Sequence, residues 1–182
     1  GHILVPDAAA IDLGAGDFSV DAWIQPRAVD GRRPIVSKMY APADAPRGWI
    51  LALEGGQLSL TVNNEGSSLT GTAPTAMTVD GQWHLVAATV QRGSATGGRL
   101  YLDGALVHTF DTTPLVGPVD TAAELWIAGV TALGRGLPAR FFDGGIDEVE
   151  VFGRALTAGE VGAIHSAGAF GKCGKPAGGG AE

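Results

Sequence analysis

The sequence predicts an all-β protein, an antiparallel sandwich or jelly roll of short strands with one short helix near the C-terminus. Its 182 residues include 29 glycines and 10 prolines, too many for a helical protein and without a collagen period. Between these turn residues, apolar and polar side chains alternate over short runs, which is the pattern of half-buried strands. Turn signals recur about every 8 to 12 residues, as in sandwiches and barrels.

The predicted strands follow one another along most of the chain. In the first, 17–24, every second residue from Phe18 to Ile24 is apolar. Gly-Gly and Asp-Gly pairs at 54–57 and 102–105 supply the positive φ angles that tight hairpins need. The remaining predicted strands are 34–39, 49–54, 57–62, 83–90, 99–103, 105–110, 124–129 and one within 141–151.

One helix is predicted at 156–165. Thr157 can cap its N-terminus, and Glu160 three residues later completes a capping box. Leu156 and Val161 are spaced for the hydrophobic staple that often accompanies such a cap. Two glycines weaken the helix, so we expect it to be short.

Composition and charge narrow the classes of partner. Apolar residues make up 45% of the chain and charged residues 17%, so the chain is expected to fold. A net charge of −7 and a pI near 5.0 argue against nucleic acid or an anionic membrane surface as the main partner. No run approaches the roughly 20 apolar residues of a membrane span, so membrane insertion is not expected.

The segment after Gly171 is rich in glycine. We therefore predict one domain at 1–170 and a flexible tail or linker at 171–182. Cys173, the only cysteine, lies in this tail, so the chain can form no internal disulfide. Its thiol lies outside every strand pattern, and we expect it to be inert or to pair accidentally with a second copy.

Six motifs occur in a fixed order along the chain. They are V-P-D-A-A-A-I-D-L-G, F-S-V-D-A-W-I, G-Q-W-H-L-V-A-A-T-V, L-Y-L-D-G-A-L-V, L-W-I-A-G and F-F-D-G-G-I-D-E-V-E-V-F-G-R-A-L-T-A-G-E-V. Residues 4–167 thereby resemble a laminin-G-like domain of the bacterial concanavalin A-like type. The resemblance implies a two-sheet antiparallel jelly-roll sandwich with one short C-terminal helix. It also implies one module of a larger extracellular or cell-surface protein.

Two features depart from the family pattern. Members usually carry one more strand before the V-P-D segment, where this chain has only G-H-I-L. A missing strand would leave an unpaired sheet edge that can recruit another chain, so a homo-oligomer through that edge is one expected association. Trp126 also stands where such domains usually have a small or polar residue.

The run F-F-D-G-G-I-D-E-V-E-V concentrates four carboxylates in the last strand. Laminarinase-type glucanases of this broad fold carry a similar strand, but here Gly145 stands where their nucleophilic Glu would be. Strand alternation places Glu148 and Glu150 on one face, about 6.5 to 7 Å apart. That spacing suits inversion, which needs about 6.5 to 9.5 Å, but no catalytic motif accompanies it. We predict no catalytic residues and no enzyme.

The same alternation assigns Asp147 to the face of Val149 and Val151, which we expect to be buried. A buried carboxylate needs a partner, which could be backbone N–H groups, Arg154 or a calcium ion. Related jelly rolls often hold a structural calcium, so the resemblance implies calcium as a cofactor with Asp147 as its ligand. The alternative is a hydrogen-bonded aspartate that closes the last strand.

Modules that bind sugars present exposed aromatic rings beside amides and charged groups. Side chains of these types stand in loops, at strand ends or on an expected open sheet face. Each also has a structural alternative as a core ring, a turn former or a solvated loop residue. The predicted ligand-binding residues are Tyr40, Trp49, Asn63, Asn64, Trp126 and Arg140.

These observations favour a non-catalytic recognition or adhesion module of a larger secreted or cell-surface protein. Its expected partner is a glycan or a surface protein. The first alternative is a structural domain that assembles through its sheet edges. The second, less favoured, is an endo-glycanase.

Overall fold

Two antiparallel sheets packed face to face dominate the computed structural model, which describes residues 1–40, 46–64, 66–130 and 140–168. The helical elements are a 3₁₀ turn (Ala9–Ile11) and α1 (Ala158–Ala167). The strands are β1 (Ile3–Val5), β2 (Phe18–Pro26), β3 (Arg32–Tyr40), β4 (Arg47–Glu54), β5 (Gln57–Asn64), β6 (Ser67–Ala76), β7 (His84–Val90), β8 (Gly98–Leu102), β9 (Ala105–Phe110), β10 (Leu125–Ile127), β11 (Gly129–Val130), β12 (Arg140–Phe141) and β13 (Gly144–Phe152).

The first sheet has the strand order β1-β10-β3-β4-β5-β6, and the second has the order β13-β2-β7-β8-β9. β11 and β12 form a separate two-stranded ribbon. The predicted all-β, two-sheet sandwich with one short helix is confirmed. The residues before V-P-D also form a strand after all, because β1 pairs with β10 at the edge of the first sheet.

β6 is the long strand that the sequence did not predict. Its residues, S-S-L-T-G-T-A-P-T-A, lack a clear apolar alternation and include Gly71 and Pro74. β6 pairs with β5 and forms the other edge of the first sheet. A proline is tolerated at an edge because no further strand needs its missing N–H.

The core lies between the sheets and follows strand alternation. Every second residue of β2 from Phe18 to Ile24 is fully buried there. Burial of one large apolar side chain contributes about 1.5 to 3 kcal/mol. In β3 a register shift between Pro34 and Val36 lets both Ile35 and Val36 enter the core. Beyond that irregularity, alternation turns the next even-numbered residues of β3 toward the core side.

The helix α1 packs on the outer face of the second sheet. Thr157 and Glu160 form the predicted capping box, with each side chain bonded to the other residue's backbone N–H. Leu156 and Val161 are buried against Leu85, Ala87 and Tyr101, whose side chains form the floor of that contact. In the part of the chain that the structure describes, no helix has the length and apolar character that crossing a bilayer requires.

Phe110 marks the seam where the two sheets meet. Its ring lies between Gly71 of β6 in the first sheet and Gly98, its cross-strand partner, in the second. A Cβ atom added at Gly71 would lie 2.2 Å from Phe110 Cδ1, and one at Gly98 would lie 2.3 Å from Cε2. Glycine is therefore required at both positions by the ring, which fills the space a side chain would need.

An ion-paired histidine joins the segment before β7 to the β8–β9 turn. His84 Nδ1 lies 2.8 Å from Asp103 Oδ2, and its Nε2 lies 3.2 Å from both carboxylate oxygens of Asp80. Burial lowers the pKa of His84, but the hydrogen bonds and charges of Asp103 and Asp80 outweigh it and leave the pKa raised. Protonated His84 therefore stabilises the native state.

The Phe110 seam predicts that Gly71→Ala destabilises the fold. The added methyl group must displace the aromatic ring, and overpacking of this kind costs about 1 to 3 kcal/mol. Urea unfolding measures the loss. Gly153→Ala is the matched control, since a Cβ there meets nothing within 4 Å. Equal unfolding midpoints for the two variants would contradict the described packing.

The His84 cluster predicts a stability that depends on pH. The native pKa lies above the ordinary value of 6.5, so the extra stability is complete below that pH. It is lost as the pH rises through the native pKa. Denaturant midpoints of the wild type should therefore fall between about pH 6 and about pH 8. His84→Gln should flatten this part of the profile, whereas His108→Gln should not. An unchanged slope in His84→Gln would refute the assignment.

Candidate functional site

A cleft of about 850 Å³ opens at the end of the first sheet where β3 and β5 finish and β4 and β6 begin. Its far wall comes from the segment around the 3₁₀ turn and from the connection that leads to β10. The described residues that line it are mostly polar: Asp7, Asp12, Tyr40, Pro46, Arg47, Asn63, Asn64, Gly66, Ser67, Ser68, Asp120, Thr121 and Ala122.

Tyr40 is the most exposed aromatic ring at the cleft. It is the last residue of β3, it pairs with Arg47 at the start of β4, and it is 59% exposed. Because Val36 faces the core, Lys38 and Tyr40 follow it on the same side of β3. The register shift at Pro34 therefore directs the tyrosine to the mouth of the sandwich.

Two amides form the wall beside Tyr40. Asn63 Nδ2 donates to the sulfur of Met39 at 3.7 Å, and Asn64 Nδ2 donates to the Val116 carbonyl. Asn64 Oδ1 has no hydrogen-bond partner among the residues that the structure describes. A buried acceptor without a donor costs about 1 to 3 kcal/mol, which a hydroxyl of water or of a ligand would offset.

Lys38 lies behind the far wall of the cleft, the one formed by the 3₁₀-turn segment and the connection to β10. Its side chain is buried, with only 2% of the residue exposed. Its Nζ donates to Asp7 Oδ1 at 2.6 Å, to Asp12 Oδ1 at 3.1 Å and to the Thr121 carbonyl at 2.5 Å. An ammonium has three donors, and each of them has an acceptor here. The contacts connect three segments that are distant in sequence, so they hold this wall of the cleft together.

Arg92 fastens the loops next to that wall. Its Nε donates to the Gly16 carbonyl at 3.0 Å, and Nη1 donates to the Gly117 carbonyl at 2.9 Å. Burial lowers the pKa of Arg92, and the charges of Asp17 and Asp120 oppose that effect. Asp120 Oδ1 in turn accepts a 2.6 Å hydrogen bond from Gly14 N. The cleft is thus bordered by loops with fixed backbone positions.

Three predicted ligand-binding residues, Tyr40, Asn63 and Asn64, meet in this cleft. Trp49 does not line it, because its ring is 1% exposed and packs 6.3 Å from the Phe18 ring in the core. β4 begins at Arg47, two residues before the predicted start, and Trp49 is directly opposite Lys38. The prediction of Trp49 as a ligand contact is therefore wrong.

Trp126 and Arg140 lie elsewhere. Trp126 pairs with Leu4 and Ser37, and its ring stacks on His2 at a centroid distance of 4.9 Å. The open sheet face expected around Trp126 is therefore partly covered. Arg140 is exposed and belongs to the β11–β12 ribbon, where it pairs with Val130. Neither residue lines the cleft, so the predicted set does not form one site.

The expected burial of Asp147 is wrong. β13 has a register irregularity between Asp147 and Glu150, where Glu148 adopts a left-handed φ of +47°. Ile146, Val149 and Val151 pack against the core, while Asp147 is exposed and pairs with Trp23. Asp147 Oδ1 accepts a 2.8 Å hydrogen bond from Glu148 N. A hydrogen-bonded aspartate of this kind was the alternative to a calcium ligand at this position.

The same irregularity interrupts the regular alternation that had placed Glu148 and Glu150 on one face. Glu150 pairs with Asp21 on the outer side of the sheet, and Glu148 stands at the irregularity itself. Gly145 has a packing reason, because an added Cβ would lie 2.7 Å from the Trp83 ring. The spacing expected from regular alternation therefore does not apply to Glu148 and Glu150.

Calcium binding stays a prediction. Among the described residues no group of three His, Cys, Asp or Glu side chains is arranged to hold a metal ion. The predicted tail at 171–182, with Cys173, lies outside the described residues, and the boundary at 170 also stays a prediction.

The residues that sequence reasoning missed are Asp7, Asp12, Lys38 and Asp120. They come from three segments far apart in the chain, and no local spacing connects those segments. One signal was present: Lys38 stands in the apolar run P-I-V-S-K-M, where a charge needs a buried partner.

Solved structures with this fold were found by comparison. The binding domain of Paraclostridial Mosquitocidal Protein 1 has a TM-score of 0.68 at 17% identity, covering 90% of this chain and 40% of that chain. The binding domain of Botulinum Neurotoxin serotype G has 0.68 at 15%, covering 91% and 40%. Ruminococcus gnavus IT-sialidase CBM40 bound to alpha2,3 sialyllactose has 0.65 at 16%, covering 84% of both.

At these identities the likeness shows the fold alone. The chain spans about 40% of the length of the two toxin binding domains. No curated protein matches the sequence. The family profile described as the concanavalin A-like lectin/glucanases superfamily, of laminin G type, matches residues 1–162. The chain therefore belongs to the concanavalin A-like lectin/glucanase superfamily.

Proposed function

We propose that this chain is a non-catalytic recognition module of a larger secreted or cell-surface protein and that it binds a glycan in the cleft. The observation that carries the proposal is the 59% exposed ring of Tyr40 beside two amides and several carboxylates. An aromatic ring stacks on the apolar face of a sugar, and amides and carboxylates bind its hydroxyl groups.

The wall opposite Tyr40 supports a hydroxyl-rich ligand. Carboxylates of Asp7 and Asp12 accept hydrogen bonds, and each keeps about a third of its side-chain surface exposed, at 35% and 34%. Buried Asn64 Oδ1, without a donor among the described residues, adds a further acceptor in the lining. Recognition of hydroxyl groups needs such acceptors held in fixed positions, which reduces the entropy lost on binding.

Charge in the cleft favours a neutral sugar over an acidic one. Asp7, Asp12 and Asp120 line the cleft, whereas the Lys38 ammonium is buried beneath them. Arg47 is the only basic residue among the described residues of the lining. Two like charges about 4 Å apart repel by about 1 kcal/mol even in water, so a uronate or sulfate group would meet repulsion.

The solved structures with this fold lend support at the level of analogy only. One of them is a CBM40 domain bound to sialyllactose, and two are toxin binding domains. They support a binding role for the fold. The acidic lining of this cleft argues that its ligand is not a sialylated sugar.

The cleft predicts a specific effect of the tyrosine on sugar affinity. Tyr40→Ala should lower the affinity for a neutral oligosaccharide selected on a glycan array about tenfold, because the stacking surface is lost. Tyr40→Phe should retain most of the affinity. Leu106→Ala, which removes an exposed apolar side chain outside the cleft, is the matched control. Calorimetry gives the dissociation constants.

Two results would count against this proposal. Binding that is equal in Tyr40→Ala and the wild type would place the sugar elsewhere. Binding of acidic glycans alone would contradict the charge argument. An array without any bound glycan, in buffers with and without calcium, would refute glycan recognition as such.

A second function, assembly through a sheet edge, has one observation in its favour. β1 is the edge strand of the first sheet, and its Ile3 and Leu4 are 60% and 42% exposed. An apolar edge strand with unpaired backbone groups is a template for a second copy. Sedimentation should then show a concentration-dependent dimer that Leu4→Lys abolishes. A wild type that stays monomeric at all concentrations would refute assembly.

A further inference from the structure

The ammonium of Lys38 lies in a set of oxygen atoms of the kind that binds hard metal ions. Its three partners are a carboxylate oxygen of Asp7, one of Asp12 and the Thr121 carbonyl, at 2.6, 3.1 and 2.5 Å. Carboxylate and backbone carbonyl oxygens are the ligands that calcium takes in proteins. Here a protein cation occupies the centre of that set.

The charge balance of the set fits a cation at this point. Two carboxylates contribute two negative charges, and the ammonium offsets one of them. The Lys38 side chain is only 3% exposed, so its ammonium is directed to these oxygen atoms and not to solvent. Without the lysine, two carboxylates and a carbonyl would face one another around the vacated space; each carboxylate keeps about a third of its surface exposed, but their mutual repulsion favours a cation there.

We propose that Lys38 is a built-in cation: its Nζ occupies the position of a divalent metal ion and closes this wall of the cleft without one. The proposal goes beyond glycan recognition and does not depend on it. The three oxygen ligands come from the 3₁₀-turn segment and from the connection before β10, and β3 carries the lysine. One side chain thus performs the joining role that a bound metal performs when it connects separate loops.

The position of Lys38 also links this role to the cleft. Tyr40 follows two residues later on the same side of β3, and Asp7 and Asp12 line the cleft directly. Lys38 therefore acts as a positioning residue for the wall that faces the tyrosine. Cleft geometry should be insensitive to chelators in the wild type and dependent on a divalent ion once the ammonium is removed.

Lys38→Met tests this, because methionine keeps an unbranched apolar stem and removes the charge. Both the variant and its Lys38 parent carry Asp147→Asn. No ion bound at Asp147 can then contribute to either melting temperature. In chelator, Lys38→Met should melt well below its Lys38 parent. Calcium should raise its melting temperature by several degrees, since a ligand that binds only the native state stabilises it. The parent should show no such shift.

Terbium provides an independent readout of ion position. Trp49 lies directly opposite Lys38 in the strand register and can transfer excitation energy to a lanthanide in the vacated position. Tryptophan-excited terbium emission should appear in Lys38→Met and be at least about tenfold weaker in the parent. Excess calcium should displace the terbium and abolish the emission.

A triple variant, Lys38→Met with Asp7→Asn and Asp12→Asn, is the matched control, because it removes the carboxylates together with the ammonium. It should neither bind terbium nor respond to calcium. Three outcomes would overturn the proposal. They are a Lys38→Met variant whose calcium shift equals that of its parent, a triple variant that still responds, and a Lys38→Met variant that stays unfolded in calcium. If Lys38→Met stays unfolded in calcium, Lys38→Ala is tested as well, because alanine leaves more room for an ion. The proposal is overturned when Lys38→Ala also fails to fold in calcium.

Discussion

The structure depends on one constraint: two separate sheets share a single apolar core, so each strand must present one fixed face to it. Alternation alone would then determine the direction of every side chain. The described strands contain four register irregularities, and two of them affect the predicted site residues: one in β3 after Pro34 and one in β13 after Asp147. The first departure brings Lys38 and Tyr40 to the cleft. The second keeps Val149 and Val151 in the core and leaves Asp147 outside.

These departures also explain how far sequence reasoning reaches. The all-β class, most strands and the capped helix follow from local patterns, and the Thr157–Glu160 capping box is a purely local signal. A register shift is not local, since it depends on which backbone groups of the neighbouring strand are available. The inward assignment of Asp147 failed for that reason. The edge strand β6 was missed because an edge tolerates the glycine and proline that usually end a strand.

The candidate site likewise contains residues that the sequence predicted and contacts that it could not predict. Tyr40, Asn63 and Asn64 were predictable from residue type and from their places at strand ends, where loops gather. Trp49 has a suitable ring, but it pairs with Lys38 on the core-facing side of the sheet, where the ring is buried. The partnership of Lys38 with Asp7 and Asp12 joins residues that are 31 and 26 positions apart. Only tertiary structure brings them together, so no motif could indicate it.

The strand order has a mechanical consequence. β1 lies at one edge of the first sheet and β13 at one edge of the second, and no strand of the described chain belongs to both ladders. A pulling force that enters through β1 and leaves through β13 passes between the sheets along the covalent connections, the first of which runs from β1 to β2. Within the first sheet the same force acts on the pairing of β1 with β10, the three-residue ladder that holds this edge strand. Under tension the short edge strand should therefore detach from β10 while the two layers stay connected through the backbone.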